Sequence, residues 1–152
     1  MHLTYYLQKD DQSYEAFYTY KEGAIDANEV YARQLCEYFI VNGSQYRLLS
    51  NEMDGNEEML IIEHLGAAAA LPGEIFYKNE GIHLEFREYL SPSHMPLLYT
   101  LQINPYGRGH WEVIRYLLKD YVDVPTIGIC KRDSAELDED RRCYVLYVTR
   151  TV

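Results

Sequence analysis

The chain has 152 residues, 24 of them Asp or Glu and 14 Lys or Arg, for a formal net charge of -10 at pH 7. That length suits one domain with a core of its own, and 47% hydrophobic against 25% charged residues excludes a disordered chain. No apolar run nears the ~18 residues of a membrane span, the start Met1-His2-Leu3-Thr4-Tyr5-Tyr6 lacks a signal peptide's apolar region, and three cysteines without CxxC spacing read as reduced thiols, so the expected location is the cytoplasm.

A first strand places Leu3, Tyr5 and Leu7 on one side, and a second carries Ala16, Tyr18 and Tyr20. A helix follows. Asp26 with Glu29 three residues on forms an Asp version of the capping box, and Ile25 and Val30 stand where a hydrophobic staple closes the first turn. Ala32, Leu35, Cys36, Phe39 and Ile40 recur on one face, Arg33 and Glu37 form an opposite-charge pair outside it, and Gly43 reads as the stop. Tyr46 to Ser50 and Met59 to Leu65 then read as strands joined through Asp54-Gly55.

The stretch 66–81 reads as a connector whose apolar Ile75-Phe76-Tyr77 adds a strand. Beyond it, Leu84, Phe86 and Leu90 share one parity, and Leu97, Tyr99 and Leu101 another strand. Ile114, Leu117, Leu118, Tyr121 and Val122 make the stripe of a second helix from about Gly109 to Asp123, ended by Pro125. Thr126 to Lys131 and Cys143 to Thr151 read as strands joined by a loop from Arg132 to Arg142, with Cys130 and Cys143 as neighbours.

The two series match. With residue 1 against residue 82, His2-Leu3 falls on His83-Leu84 and Tyr18-Thr19 on Tyr99-Thr100. The expected fold is α+β, one domain over residues 1–152: a duplicated β-β-α-β-β unit, repeat 1 over 1–65 and repeat 2 over 82–152, with mainly antiparallel sheet, two main helices and a pseudo-twofold arrangement. The helical register stays open between offsets of 82 and 83. Residues 1–65 carry 12 acidic and 4 basic groups, a net of -8, and residues 82–152 carry 10 and 9, a net of -1.

A chain this acidic, with no basic stripe, disfavours direct nucleic-acid binding. Tyrosine is the compositional outlier at 16 residues, a type that serves both strand pairing and protein interfaces. The sharpest chemical pattern is Asn104-Pro105-Tyr106-Gly107-Arg108-Gly109-His110-Trp111, a strand-to-helix turn with two glycines and a positive charge, where an anion would sit on helix N–H groups. Over residues 98–118 this segment resembles the pyrophosphate loop of the GCN5-related acetyltransferases. Asn104 stands where that family has Gln or Arg, and bulky His110 and Trp111 follow the glycines. The resemblance implies a phosphorylated or acyl-CoA ligand held by Gly107, Arg108, Gly109 and His110.

His83 and Glu85 share a strand face, with His2 as the pseudo-symmetric mate of His83, but neither HxH nor HExxH spacing supports a metal site. No nucleophile elbow, Walker loop or dinucleotide fingerprint is present. These features point first to a small acidic binding or regulatory protein. It makes protein-protein contacts through a Tyr-rich surface, has no catalysis or cofactor of its own and leaves room for a homodimer. The alternative is an enzyme or ligand-binding domain working at Gly107 to Gly109.

Overall fold

The computed structural model describes residues 1–78 and 81–150. Its elements run β1 (His2–Gln8), β2 (Tyr14–Tyr20), α1 (Ala27–Gln34), β3 (Tyr38–Val41), β4 (Ser44–Asp54), β5 (Glu57–Ala67), β6 (Ile82–Glu88), β7 (Leu97–Ile103), α2 (His110–Leu117), β8 (Tyr121–Val124), β9 (Gly128–Asp138) and β10 (Cys143–Arg150). All ten strands belong to one mixed sheet, ordered β2-β1-β5-β4-β3-β9-β10-β6-β7 with β8 beside β9. The protein is thus mainly sheet with two short helices. Parallel pairing occurs at β1–β5, β6–β10 and β3–β9, and the other neighbours are antiparallel.

Each half carries one strand more than the expected β-β-α-β-β order. The first helix stops at Gln34 rather than running on past Ile40. The aromatic and β-branched run Tyr38-Phe39-Ile40-Val41 then forms β3, because Asn42 and Gly43 both adopt positive φ (51° and 75°) and fold the chain straight back into β4. Gly43 is therefore a hairpin glycine and not a helix stop. Tyr121 and Val122, expected on the second helix, likewise begin β8, which turns through Thr126 (φ 67°) into β9.

Three further expectations give way. Most of the anticipated loop from Arg132 to Arg142 is strand, since β9 continues to Asp138 and buries Glu136 and Asp138 in polar contacts that the bare acidic sequence does not reveal. Ile75 to Tyr77 belongs to no strand, although Tyr77 N–H donates to the Arg141 carbonyl at 3.0 Å. Cys130 and Cys143 are not neighbours: Cys143 stands opposite Asp138, Cys130 opposite Arg150, and they belong to different core clusters. The expected final residue of the last strand, Thr151, lies outside the described residues.

Strand alternation divides the interior into two layers. On β10, Tyr144, Leu146 and Val148 join the main core with Leu3, Tyr5, Phe39, Leu84 and Phe86, capped by Val30 of α1 and Val113 and Leu117 of α2. Cys143, Val145 and Tyr147 point the other way, against Tyr77, Tyr89 and Met95. The second face also buries charge. Glu85 receives Arg141 at 2.9 and 3.0 Å and Arg87 at 2.9 Å, and Arg141 also binds Asp138 at 3.0 Å. Among the described residues no helix is long and apolar enough to cross a membrane.

Candidate functional site

A cleft of about 450 Å³ opens between Glu29 and Arg33 of α1, His110 at the start of α2, residues 81–83 at the start of β6, and the β9–β10 turn. Asp26 fixes one wall. Its carboxylate accepts from the Glu29 N–H at 2.8 Å and so sets the start of α1, which aims Glu29 and Arg33, one helical turn apart, into the cleft. Gly109 fixes the other wall. Its φ of +55° turns the chain into α2, and a Cβ there would meet the Pro105 carbonyl oxygen at 3.2 Å, so His110 begins the helix at the cleft.

Arg33 is the hub. Only 5% exposed, it donates to Glu29 at 3.0 and 3.2 Å, to Glu139 at 2.5 Å and to the Tyr5 hydroxyl at 3.2 Å, while its guanidinium lies 4.4 Å from the centre of the Tyr20 ring. A buried guanidinium with this many acceptors is held rigid. His110 Nδ1 stands 4.0 Å from Glu29, and its ring meets Tyr144 edge to face at 5.6 Å. Burial lowers the His110 pKa below its ordinary value against the opposing pull of Glu29, which keeps the ring neutral at pH 7. Burial also pushes the Tyr144 hydroxyl well up, so it stays protonated. The cleft thus offers a neutral imidazole, carboxylates at Glu29 and Glu139, the Arg33 guanidinium already committed to those carboxylates, and a second guanidinium on the exposed Arg142.

The residues expected at the turn separate. His110 lines the cleft; Arg108 does not, being 68% exposed and extended to Glu112 at 3.3 Å. Two donors of the first helical turn are also engaged, Trp111 N–H on the Arg108 carbonyl and Glu112 N–H on that of Gly109. Arg33 and Glu37, expected as a surface pair, diverge: Arg33 turns inward and Glu37 binds Arg132. Glu139 and Tyr144 escaped the sequence entirely, since only the β9–β10 turn brings them beneath α1. His83 stacks on Tyr77 at 4.3 Å, and among the described residues no cluster of three or more His, Cys, Asp or Glu could hold a metal ion.

No protein-family model, curated protein or solved structure matches the chain.

Proposed function

We propose that the chain is an acidic binding protein, without catalysis of its own, whose helix-bearing face holds a basic protein partner across the cleft. The carrying observation is the exposure of large aromatic side chains on the two helices that frame it, Tyr31 of α1 at 42% and Trp111 of α2 at 55%, and on β2, where Tyr18 is 57% exposed. Exposed aromatics beside a polar cleft supply the anchors and the hydrogen-bonding centre of a protein interface. The net charge of -10 and the carboxylates of Glu29 and Glu139 favour a partner that inserts Lys or Arg. The three cysteines, all buried as free thiols, fit action in the cytoplasm.

A phosphorylated or acyl-CoA ligand at Gly107 to Gly109 has less support, because Arg108 is drawn to Glu112 and an anion in the adjoining cleft would face Glu29 and Glu139. The test is affinity capture from lysate at low and high salt, with the parent protein and a Tyr31→Ser/Trp111→Ser variant. A partner held by the parent, released by salt and missed by the variant supports the proposal; a partner held equally by both opposes it.

We also read the two halves as copies of one β-β-α-β-β-β unit. In each, the hairpin, the parallel first-to-last pairing and the two closing antiparallel pairs follow the same order. A bulge falls at Phe17 in one hairpin and at Leu98 in the other, positions the sequence alignment places together, and the helix bounds, Ala27–Gln34 and His110–Leu117, favour the offset of 83.

A further inference from the structure

A second pocket, about 380 Å³, opens on the face of the sheet opposite the helices. It lies where β3 meets β9, a parallel seam of three residue pairs from Tyr38 opposite Glu136 to Ile40 opposite Asp138 that joins the two halves. Both halves line it. Tyr38 comes from β3 and Tyr147 from β10, Tyr89 and Met95 come from the two sides of the β6–β7 connection, and Glu136 forms the floor.

The floor is unusual. Glu136 is only 3% exposed, yet both of its hydrogen-bond donors are neutral: the Tyr147 hydroxyl at 2.9 Å and the Gln45 amide at 3.0 Å. No Lys, Arg or His among the described residues pairs with it. Arg141, the basic group whose charge acts on it, is bound to Glu85 and Asp138. Arg87, opposite Tyr147 in the β6–β10 ladder, is matched by Glu85 and spends Nη1 on the Met95 carbonyl at 2.9 Å, while its buried Nη2 has no hydrogen-bond partner among the described residues. A carboxylate withdrawn from water without a cation is costly, and the three tyrosines that line the same pocket carry aromatic rings, the side chains that attract cations.

We propose that this pocket binds an alkylammonium group, a quaternary or N-methylated ammonium enclosed by Tyr38, Tyr89 and Tyr147 and neutralised by Glu136. The volume lies within the ~300 to 1,000 Å³ of small-ligand pockets. The soft Met95 wall suits methyl groups. A primary ammonium would lose water that the phenol rings replace poorly, whereas a methylated one arrives already weakly hydrated. The same chemistry is carried by a free quaternary amine and by a methylated lysine of another protein. The site lies on the other face from the helix-side cleft and does not depend on the partner proposed there.

The test is titration of the full chain, followed by calorimetry and by tyrosine chemical shifts, with tetramethylammonium, choline and an N-acetyl trimethyllysine amide. The neutral isostere 3,3-dimethylbutan-1-ol is the control. The cations should bind saturably and at least tenfold tighter than the isostere, with tenfold or greater loss in Glu136→Gln and in Tyr89→Leu. Tighter binding of choline would assign a free amine, and tighter binding of the lysine derivative a protein side chain. Equal binding of the isostere, no saturable shift with any cation, or unchanged affinity in the variants would overturn the proposal. Should Glu136→Gln fail to fold, Tyr89→Leu, at a partly exposed position, decides alone.

Discussion

Arg132 and Glu37, 95 positions apart, close a two-point ion pair at 2.6 and 2.8 Å. The same guanidinium donates to the Leu35 carbonyl at the end of α1 and to the Leu117 carbonyl at the end of α2, each at 3.0 Å. One side chain from the second half therefore satisfies the C-terminal carbonyls of both helices and ties them to the sheet.

Arg132→Ala should accordingly cost about 3 kcal/mol in urea unfolding, because it strands Glu37 and two helix carbonyls together. Arg132→Lys should recover less than half of that loss, since a single ammonium cannot reproduce the fork. Full rescue by Lys would mean that charge alone matters there.

At the cleft, the turn glycine and its neighbouring arginine should behave in opposite ways. Gly109→Ala should destabilise by about 1 kcal/mol or more, given its φ of +55° and the nearby Pro105 carbonyl. Arg108→Ala should be almost silent, as its contact to Glu112 is solvent-exposed. Asp26→Ala removes the α1 cap and should cost ~0.5 to 2 kcal/mol. The unfolding midpoints of the three variants rank these effects.

The buried carboxylates predict acid behaviour of opposite sign. Burial pushes Glu85 up, but hydrogen bonds from Arg141, Tyr77 and Arg87 outweigh it and hold the carboxyl below its ordinary 4.5. Its stabilisation is complete above that value and is lost as pH falls below it. Glu136 is raised, first by burial, so its contribution is complete below 4.5 and is lost as pH climbs through the higher folded value. In urea unfolding between pH 3 and 8, Glu85→Gln should flatten the acid limb, while Glu136→Gln should remove the decline on the alkaline side. Identical pH profiles for the two variants would refute the assignment.

His110 gives a direct reading of the cleft. With its pKa depressed by burial, its imidazole should titrate below 6.5 by NMR, and Glu29→Gln should lower it further by removing the opposing charge. Titration above 6.5 in the parent protein would mean that the ring is solvated.

Much of the local structure was legible in the sequence because it rests on local chemistry. Leu3 with Tyr5 and Leu84 with Phe86 read correctly as inward pairs from alternation, and Asp26 as a cap from its spacing to Glu29. The four-residue strands β3 and β8 were missed because Cys36, Phe39 and Ile40, like Tyr121 and Val122, fit a helical stripe as well as a strand. Only the Asn42-Gly43 turn dipeptide carried the contrary signal, and its Gly43 alone was read, as a helix stop. The cleft was half legible. His110 stood in a recognisable turn, whereas Arg33, Glu139 and Tyr144 meet only through pairings between distant strands. Glu136 and Asp138 fell within the loop expected from Arg132 to Arg142, since nothing local shows that Tyr147, Gln45 and Arg141 await them.

The most direct measurement of the central claim is amide chemical-shift mapping of the isotopically labelled chain with the partner captured at low salt. Binding on the helix-bearing face predicts perturbations centred on Glu29, Tyr31, His110, Trp111 and Glu139, which fade as salt is raised. Perturbations confined to β8 or to the opposite face, with those five unmoved, would contradict it.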